Sequence, residues 1–321
     1  MKLGMIGTGR VAVKFVREAE AVPDIEIGAV YNPHKDSAKR FTKEHLTGAE
    51  FTDDLDAFLS MVDAVYIASP HKTHFDYIKT ALSAGKHVLC EKPMVLKRTE
   101  AEEAFGLADE KGLVLMEAIK TAYCPGFFRV GKLLDSDCVG PVKNIEACFT
   151  KIASPASREL TDLETGGSFV ELGSYVLLPV IHFLGIEWES MHFESVEAEN
   201  GLDLFTRCSF KYSNALASVT CGLGAKSEGS LTLGGDAGFM MAQAPWWKTG
   251  RVRLYDKNGG LAGIVEEPFE GEGLRYEMQA FVDAVAGAAE GNMPQTALSG
   301  EESIALAEIL EMFLEEREER R

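Results

Sequence analysis

Through the first 118 residues, short runs of apolar and β-branched side chains alternate with amphipathic segments of helical length, and nothing else in the chain constrains its fold as strongly. The runs are KLGMI, IEIGAVY, DAVYIAS, KHVLC and VLMEA, and between them lie VAVKFVREAEA, KDSAKRFTKEH, THFDYIKTALSAG and TEAEEAFGLADEKG. Strands that are apolar on both sides need cover on both faces, so the pattern predicts an α/β domain over residues 1–120, a parallel sheet between two helical layers.

The pattern changes after Tyr123-Cys124-Pro125. A helix over 127–134, a strand over 142–150 and a helix over 168–184 lead into closely spaced strands. KYSN joins LFTRCSF to ALASVT as a hairpin, and SLTLG, GFMMAQ, RVRLY and AGIVEE follow, before helices over 273–289 and 300–316. Residues 121–321 are therefore expected to form an α+β domain built on a large, mainly antiparallel sheet. Its C-terminal helix is free to pack back on the first domain.

The 321 residues are 46% hydrophobic, enough for a large core, and no apolar stretch approaches the roughly 20 residues of a membrane span. The opening MKLGMIGTGR has too short an apolar run for a secretory segment, so a soluble cytoplasmic protein is expected. Its six cysteines are scattered without a C-x-x-C pair, which indicates neither a disulfide framework nor a metal cage. A net charge of -18 repels a phosphate backbone, which argues against nucleic acid as a partner. The tail EEREERR reads as a solvated helix end.

The chemistry-bearing residues begin with Gly7, Thr8, Gly9, Arg10, Val11 and Ala12, a G-x-G-x-x-A turn between the first strand and the first helix. Gly7 permits the tight turn, Gly9 lets a pyrophosphate reach the helix N-terminus, and Ala12 lets helix and strand pack closely. Dinucleotide binding is expected. The second strand ends Asn32-Pro33-His34-Lys35, with no acid for the ribose hydroxyls. Asn32, His34, Lys35 and Arg40 suit a 2′-phosphate, which favours NADP over NAD, although Lys35 and Arg40 read equally well as solvated helix residues. Ser69 and Pro70 end the next strand and would line the cofactor, with His74 in the first turn of the helix that follows; a structural contact is the plainer role for His74.

KHVLC runs into Glu91-Lys92-Pro93, where a proline fixes the backbone beside a lysine at the sheet's carboxyl edge. Lys92 is expected where a nicotinamide meets its substrate, with Glu91 or Glu117 as its carboxylate partner. A surface lysine before a helix-starting proline is the alternative.

Together the G-x-G-x-x-A turn, A-S-P-x-x-x-H, AGKHVLCEKP and GGSFVELGSY resemble the Gfo/Idh/MocA oxidoreductase family, and LMEAIKTAYCPGF is most similar to its branch of dimeric dihydrodiol dehydrogenases, glucose-fructose oxidoreductase and aldose dehydrogenases. The resemblance implies a Rossmann domain followed by an open-faced sheet domain. It also implies hydride transfer between NAD(P) and the carbinol carbon of a sugar, polyol or diol, by a homodimer or homotetramer formed through the second sheet. On that resemblance Lys92 is the catalytic lysine, and Tyr175 stands where many members carry histidine, as the general acid/base. A phenol ordinarily titrates near 10, so a neighbouring cation such as Lys92 would have to draw it down.

Glu171 replaces the family's aspartate. It lies four residues before Tyr175, on the same helical face, and is expected to orient the substrate; its extra methylene bears on whether the chemistry survives. Arg158 is a further candidate for substrate contact, with a surface ion pair as the alternative. Pro245-Trp246-Trp247 reads as core or subunit interface before it reads as a sugar platform. Two rival readings remain: a dinucleotide- or sugar-sensing regulator without catalysis, and a recycling enzyme that never releases its nucleotide.

Overall fold

Six short strands form the first sheet: β1 (Lys2–Ile6), β2 (Glu26–Tyr31), β3 (Glu50–Thr52), β4 (Ala64–Ile67), β5 (His87–Glu91) and β6 (Leu115–Ala118). All are parallel, in the order β3-β2-β1-β4-β5-β6. The order reverses between β1 and β4, where open sheets of this kind bind ligands outside their carboxyl ends. This computed structural model describes residues 1–290 and 296–320.

The continuous apolar runs are explained by burial on both faces. On one side Phe15, from helix Arg10–Ala19, stacks on Tyr66 of β4 with ring centroids 3.6 Å apart. On the other, Ile78 and Leu82 of helix His74–Ser83 and Ala101 and Ala104 of helix Arg98–Lys111 join Val65, Ile67 and Cys90 in one core cluster. β3 and the short helix Leu55–Ser60 were not among the expected elements. A partly exposed strand of three residues carries too little periodicity to be read from sequence.

The chain divides into two compact units, Met1–Lys120 with Glu270–Ala307 and Thr121–Phe269 with Glu308–Arg321. Helix Leu274–Ala289 thus belongs to the first unit, although the expected boundary assigned it to the second. It buries Leu274, Met278, Phe281 and Ala284 at helical spacing, and Arg275 grips Glu18 of helix Arg10–Ala19 through Nε at 3.1 Å and Nη2 at 2.9 Å.

The second unit holds an eight-stranded sheet of β7 (Asn144–Thr150), β8 (Ser190–Glu197), β9 (Asp203–Lys211), β10 (Leu216–Gly222), β11 (Leu231–Gly234), β12 (Gly238–Ala242), β13 (Arg251–Asp256) and β14 (Leu261–Glu266). Its order is β14-β13-β12-β11-β7-β10-β9-β8, antiparallel except for the parallel pair β7–β10. β9 and β10 form the expected hairpin, closed by the Tyr212 N–H donating to the Ala215 carbonyl at 2.9 Å. Helix Ser168–Leu184 lies on this sheet with its Val176–Ile181 stretch fully covered. Its mainly apolar circumference is that of a core helix.

The tail departs from expectation. Helix Gly300–Arg320 runs four residues past the expected end, and Arg317 within EEREERR is only 2% exposed. Its guanidinium donates to the Gly166 carbonyl at 2.7 Å and the Glu164 carbonyl at 2.9 Å, and lies 4.0 Å from the buried Asp203 carboxylate. Net charge along the segment hid one cation on the helix's apolar side. Arg321, the tail's last residue, lies outside the described residues.

Candidate active site

In the first unit the expected cofactor residues collect at the carboxyl edge of the parallel sheet. Gly7 follows β1 with φ +105°, and a Cβ there would stand 2.4 Å from the Ala68 carbonyl oxygen, so only glycine fits. Gly9 differs: a Cβ would meet nothing within 4 Å. That open space lies at the start of helix Arg10–Ala19, whose first turn has no side-chain cap. The backbone N–H groups of a helix's first turn lack intrahelical partners, and beside open space at Gly9 they suit a pyrophosphate. Ala12 is fully buried between helix and sheet, as its place in the motif requires.

Asn32 joins the glycine loop to the end of β2. Its Nδ2 donates to Thr8 Oγ1 at 2.9 Å while its Oδ1 accepts from the His34 N–H at 2.9 Å. His34 stands just before helix Lys35–His45, and Lys35 pairs with Asp53 at 3.3 Å with both side chains exposed. Arg40 lies one turn further along that helix, also exposed.

At the end of β4, Ser69 Oγ accepts from Thr73 Oγ1 at 2.7 Å, next to exposed Pro70. His74 is fully buried, Nδ1 facing the carbonyls of Pro93 and Met94 at 3.0 and 3.2 Å and Nε2 facing that of Ser69 at 2.9 Å. It therefore ties the β4 edge to the β5 edge, the structural role. Burial holds its pKa below the usual histidine value, against the opposing pull of those carbonyls.

β5 delivers Glu91, half-buried Lys92 and Pro93, and the Lys92–Pro93 bond is cis. Glu91 accepts from the buried Tyr66 phenol at 2.7 Å. Burial raises the Glu91 carboxyl, and the phenol together with the Lys92 and Lys120 ammonium groups pulls it back. Glu117 is 3% exposed, and its Oε1 accepts from the Met94 N–H at 3.0 Å. Its carboxylate thus holds the loop behind Lys92 instead of facing open space. Burial pushes it up to about 7.

Glu277 was missed at the sequence level. It is fully buried, neither carboxylate oxygen has a hydrogen-bond partner, and burial followed by the Glu91 charge pushes its pKa far up. Burial without a hydrogen-bond partner favours the neutral acid over the carboxylate. Its spacing from Leu274, Met278 and Phe281 put a glutamate on a helix's apolar stripe, which was the available signal.

In the second unit, Gly166-Gly167 leads into helix Ser168–Leu184 with Gly167 at φ +106°. A Cβ on Gly167 would stand 2.0 Å from Asp203 Oδ1. Asp203 caps this helix, its Oδ2 accepting from the Phe169 N–H at 2.8 Å and from Thr206 Oγ1 at 2.7 Å. Burial raises Asp203 to about 6 against those two bonds and the Arg317 charge. The start of the helix is thereby fixed.

Glu171 and Tyr175 are the half-exposed residues of a first stretch whose other members, Ser168–Val170 and Leu172–Ser174, are buried. They meet the end of β7. Phe149 lies 5.3 Å from the Tyr175 ring and stacks on Trp247 at 3.6 Å with an interplanar angle of 6°. Lys151 reaches Glu171 Oε1 at 3.4 Å. Trp246 is fully buried and donates Nε1–H to the Cys148 carbonyl at 2.9 Å, a core residue, whereas Trp247 is half-exposed. Arg158 pairs with Asp162 at 3.9 Å across one helical turn, the surface ion pair weighed against substrate contact. Among the described residues there is no cluster of acids, histidines or cysteines fit to hold a metal, and no helix is long and apolar enough to cross a membrane.

Residues 1–119 match the Gfo/Idh/MocA family, described as oxidoreductases with an NAD-binding Rossmann fold. A dTDP-3,4-didehydro-2,6-dideoxy-alpha-D-glucose 3-reductase of Actinomadura kijaniata is 36% identical over 194 residues, 59% of this chain and 58% of that protein. The chain therefore spans little more than half the length of that curated relative. A trans-1,2-dihydrobenzene-1,2-diol dehydrogenase of Sus scrofa is 27% identical over 325 residues, 97% of this chain and 95% of the other. The crystal structure of a 3-ketoreductase from Actinomadura kijaniata in complex with NADP and TDP-benzene matches with a TM-score of 0.81 at 26% identity, over 97% of this chain and 95% of that one.

Proposed function

We propose that the chain is a member of the Gfo/Idh/MocA oxidoreductase family, whose description residues 1–119 match, and that it is an NADP-dependent oxidoreductase acting on the CH–OH group of a sugar, polyol or diol. One observation carries the reading. Gly7, Asn32, Ser69 and Lys92 follow four neighbouring parallel strands at a single sheet edge, beside an open helix N-terminus. The NADP named with the 3-ketoreductase structure supports the cofactor choice.

The bound nicotinamide supplies or accepts the hydride. Backbone N–H groups from Gly9 to Val11 hold the pyrophosphate, and Thr8 and Asn32 line the ribose. The basic side chains His34, Lys35 and Arg40 and the absence of an acid at the end of β2 favour a 2′-phosphate, so NADP is preferred to NAD. Ser69, Pro70, Glu91 and Pro93 shape the nicotinamide end, and His74 holds their backbone. Tyr175 exchanges the hydroxyl proton, Lys92 stabilises the alkoxide oxygen, and Glu171 orients the substrate.

Mixing purified protein with NADP and a panel of aldoses, inositols and diols, and following nicotinamide absorbance, tests the reading. Wild type should turn over and Lys92→Met should not, while both bind NADP alike. Unchanged activity in Lys92→Met removes the lysine's role, and dinucleotide binding without turnover on any CH–OH compound favours a regulator.

We further propose a cytoplasmic location, which the scattered cysteines without a C-x-x-C pair support. The protein is assigned as a homodimer or homotetramer through the second sheet, whose side away from helix Ser168–Leu184 carries Phe239, Met241, Tyr255 and Ile264. Light scattering on the eluted protein checks the subunit count.

A further inference from the structure

Along β7, side chains alternate between the two faces of the sheet. Ile145 and Ala147 are buried under helix Ser168–Leu184. Phe149 and Lys151, next on the same face, emerge half-exposed where the strand's end meets the helix's first turns. There they find Tyr175 and Glu171, the phenylalanine 5.3 Å from the phenol ring and the ammonium 3.4 Å from Glu171 Oε1. The backbone at this corner is fixed. Lys151 N–H donates to the Gly222 carbonyl at 2.9 Å, and Thr150 Oγ1 accepts from the Ser227 N–H at 2.9 Å.

The Glu171 carboxylate meets the Lys151 ammonium. A lone carboxylate can only accept hydrogen bonds and a lone ammonium can only donate them. Held side by side, the two present one acceptor and one donor about one hydrogen bond apart, which matches adjacent hydroxyl groups on a ring. The pair is open to solvent, Lys151 at 42% and Glu171 at 19% side-chain exposure, so a ligand can reach it.

We infer that Lys151 is a specificity-determining residue: with Glu171 it clamps the vicinal diol of a carbohydrate or cyclitol, Lys151 donating to one hydroxyl oxygen and Glu171 accepting from its neighbour, beside the Tyr175 phenol. This rests on the oxidoreductase reading and narrows its substrate to compounds with a hydroxyl next to the reacting one. An ammonium so placed binds ground state and transition state alike, and therefore acts on KM more than on kcat.

The test compares wild type, Lys151→Met and Lys151→Arg, loaded with NADP, on myo-inositol, D-glucose, trans-1,2-cyclohexanediol and cyclohexanol. Lys151→Met should raise KM for the vicinal substrates by about tenfold or more with kcat changed less than about threefold. It should raise KM for cyclohexanol far less than for the vicinal substrates, and Lys151→Arg should recover most of the loss. Equal effects on diol and single alcohol, or no effect on either, overturn the proposal. Should wild type turn over none of these, the oxidoreductase reading has failed, and calorimetric titration of the same compounds still decides the clamp: weaker polyol binding by Lys151→Met supports it, while equal binding, or none by wild type, overturns it.

Discussion

The phenol of Tyr66 donates to Glu91 Oε1 across 2.7 Å in an interior where Tyr66 is fully buried and Glu91 is 9% exposed. Glu91 immediately precedes Lys92, so one buried hydrogen bond anchors the strand end that carries the proposed catalytic lysine. Tyr66→Phe keeps the ring stacked on Phe15 and removes only the donor. It should cost about 1–3 kcal/mol in urea unfolding, because a buried carboxyl loses a partner. An unchanged urea midpoint would show that Glu91 draws nothing from this bond.

Glu117 gives a stability that depends on pH with a fixed sign. Its folded carboxyl titrates at about 7 against an ordinary 4.5, so the native state holds a proton that the unfolded state has released. The contribution is complete below about pH 4.5 and is lost as pH rises through about 7, with a total of about 3 kcal/mol. Glu117→Gln, whose amide oxygen can still accept from the Met94 N–H, should flatten that decline in calorimetric melts between pH 5 and 8. A wild-type profile rising across this range would contradict the buried neutral acid.

Gly7 and Gly9 should separate folding from cofactor binding. Gly7→Ala forces a Cβ to 2.4 Å from the Ala68 carbonyl at φ +105° and should destabilise the protein by about 2 kcal/mol or more. Gly9→Ala meets no protein atom within 4 Å and should fold with stability within about 0.5 kcal/mol of wild type. Its NADP affinity should nevertheless drop by about tenfold or more, since the methyl fills the space needed by the pyrophosphate. Fluorescence titration with NADPH after a melt reports both quantities, and wild-type affinity in Gly9→Ala would move the phosphate site elsewhere.

Arg317 and Asp203 form a buried pair, 3% and 1% exposed at the side chain. Arg317→Met leaves the Asp203 carboxyl without its cation and the Gly166 and Glu164 carbonyls without their donor, and should cost about 3–5 kcal/mol. Adding Asp203→Asn should recover part of that loss, because the amide needs no countercharge. Additive losses in the urea midpoints of the double variant would show that the pair is not coupled.

Much of this protein was written locally. Residues contiguous in the chain set the strand-helix alternation, the glycine turn and the KYSN hairpin, because periodicity and turn chemistry act within a few positions. The same locality put Glu171 and Tyr175 on one helical face and Lys92 at a strand end. The helical spacing of Leu274, Met278 and Phe281 could also have exposed Glu277, but not what its carboxyl would face. Tertiary packing alone placed Lys151 against Glu171, Tyr66 against Glu91 and Arg317 inside what reads as a solvated tail. These partners lie 20, 25 and, for Arg317 and Asp203, 114 residues apart, and a charge's cost or benefit is set by the groups that exclude water around it, not by its neighbours along the chain.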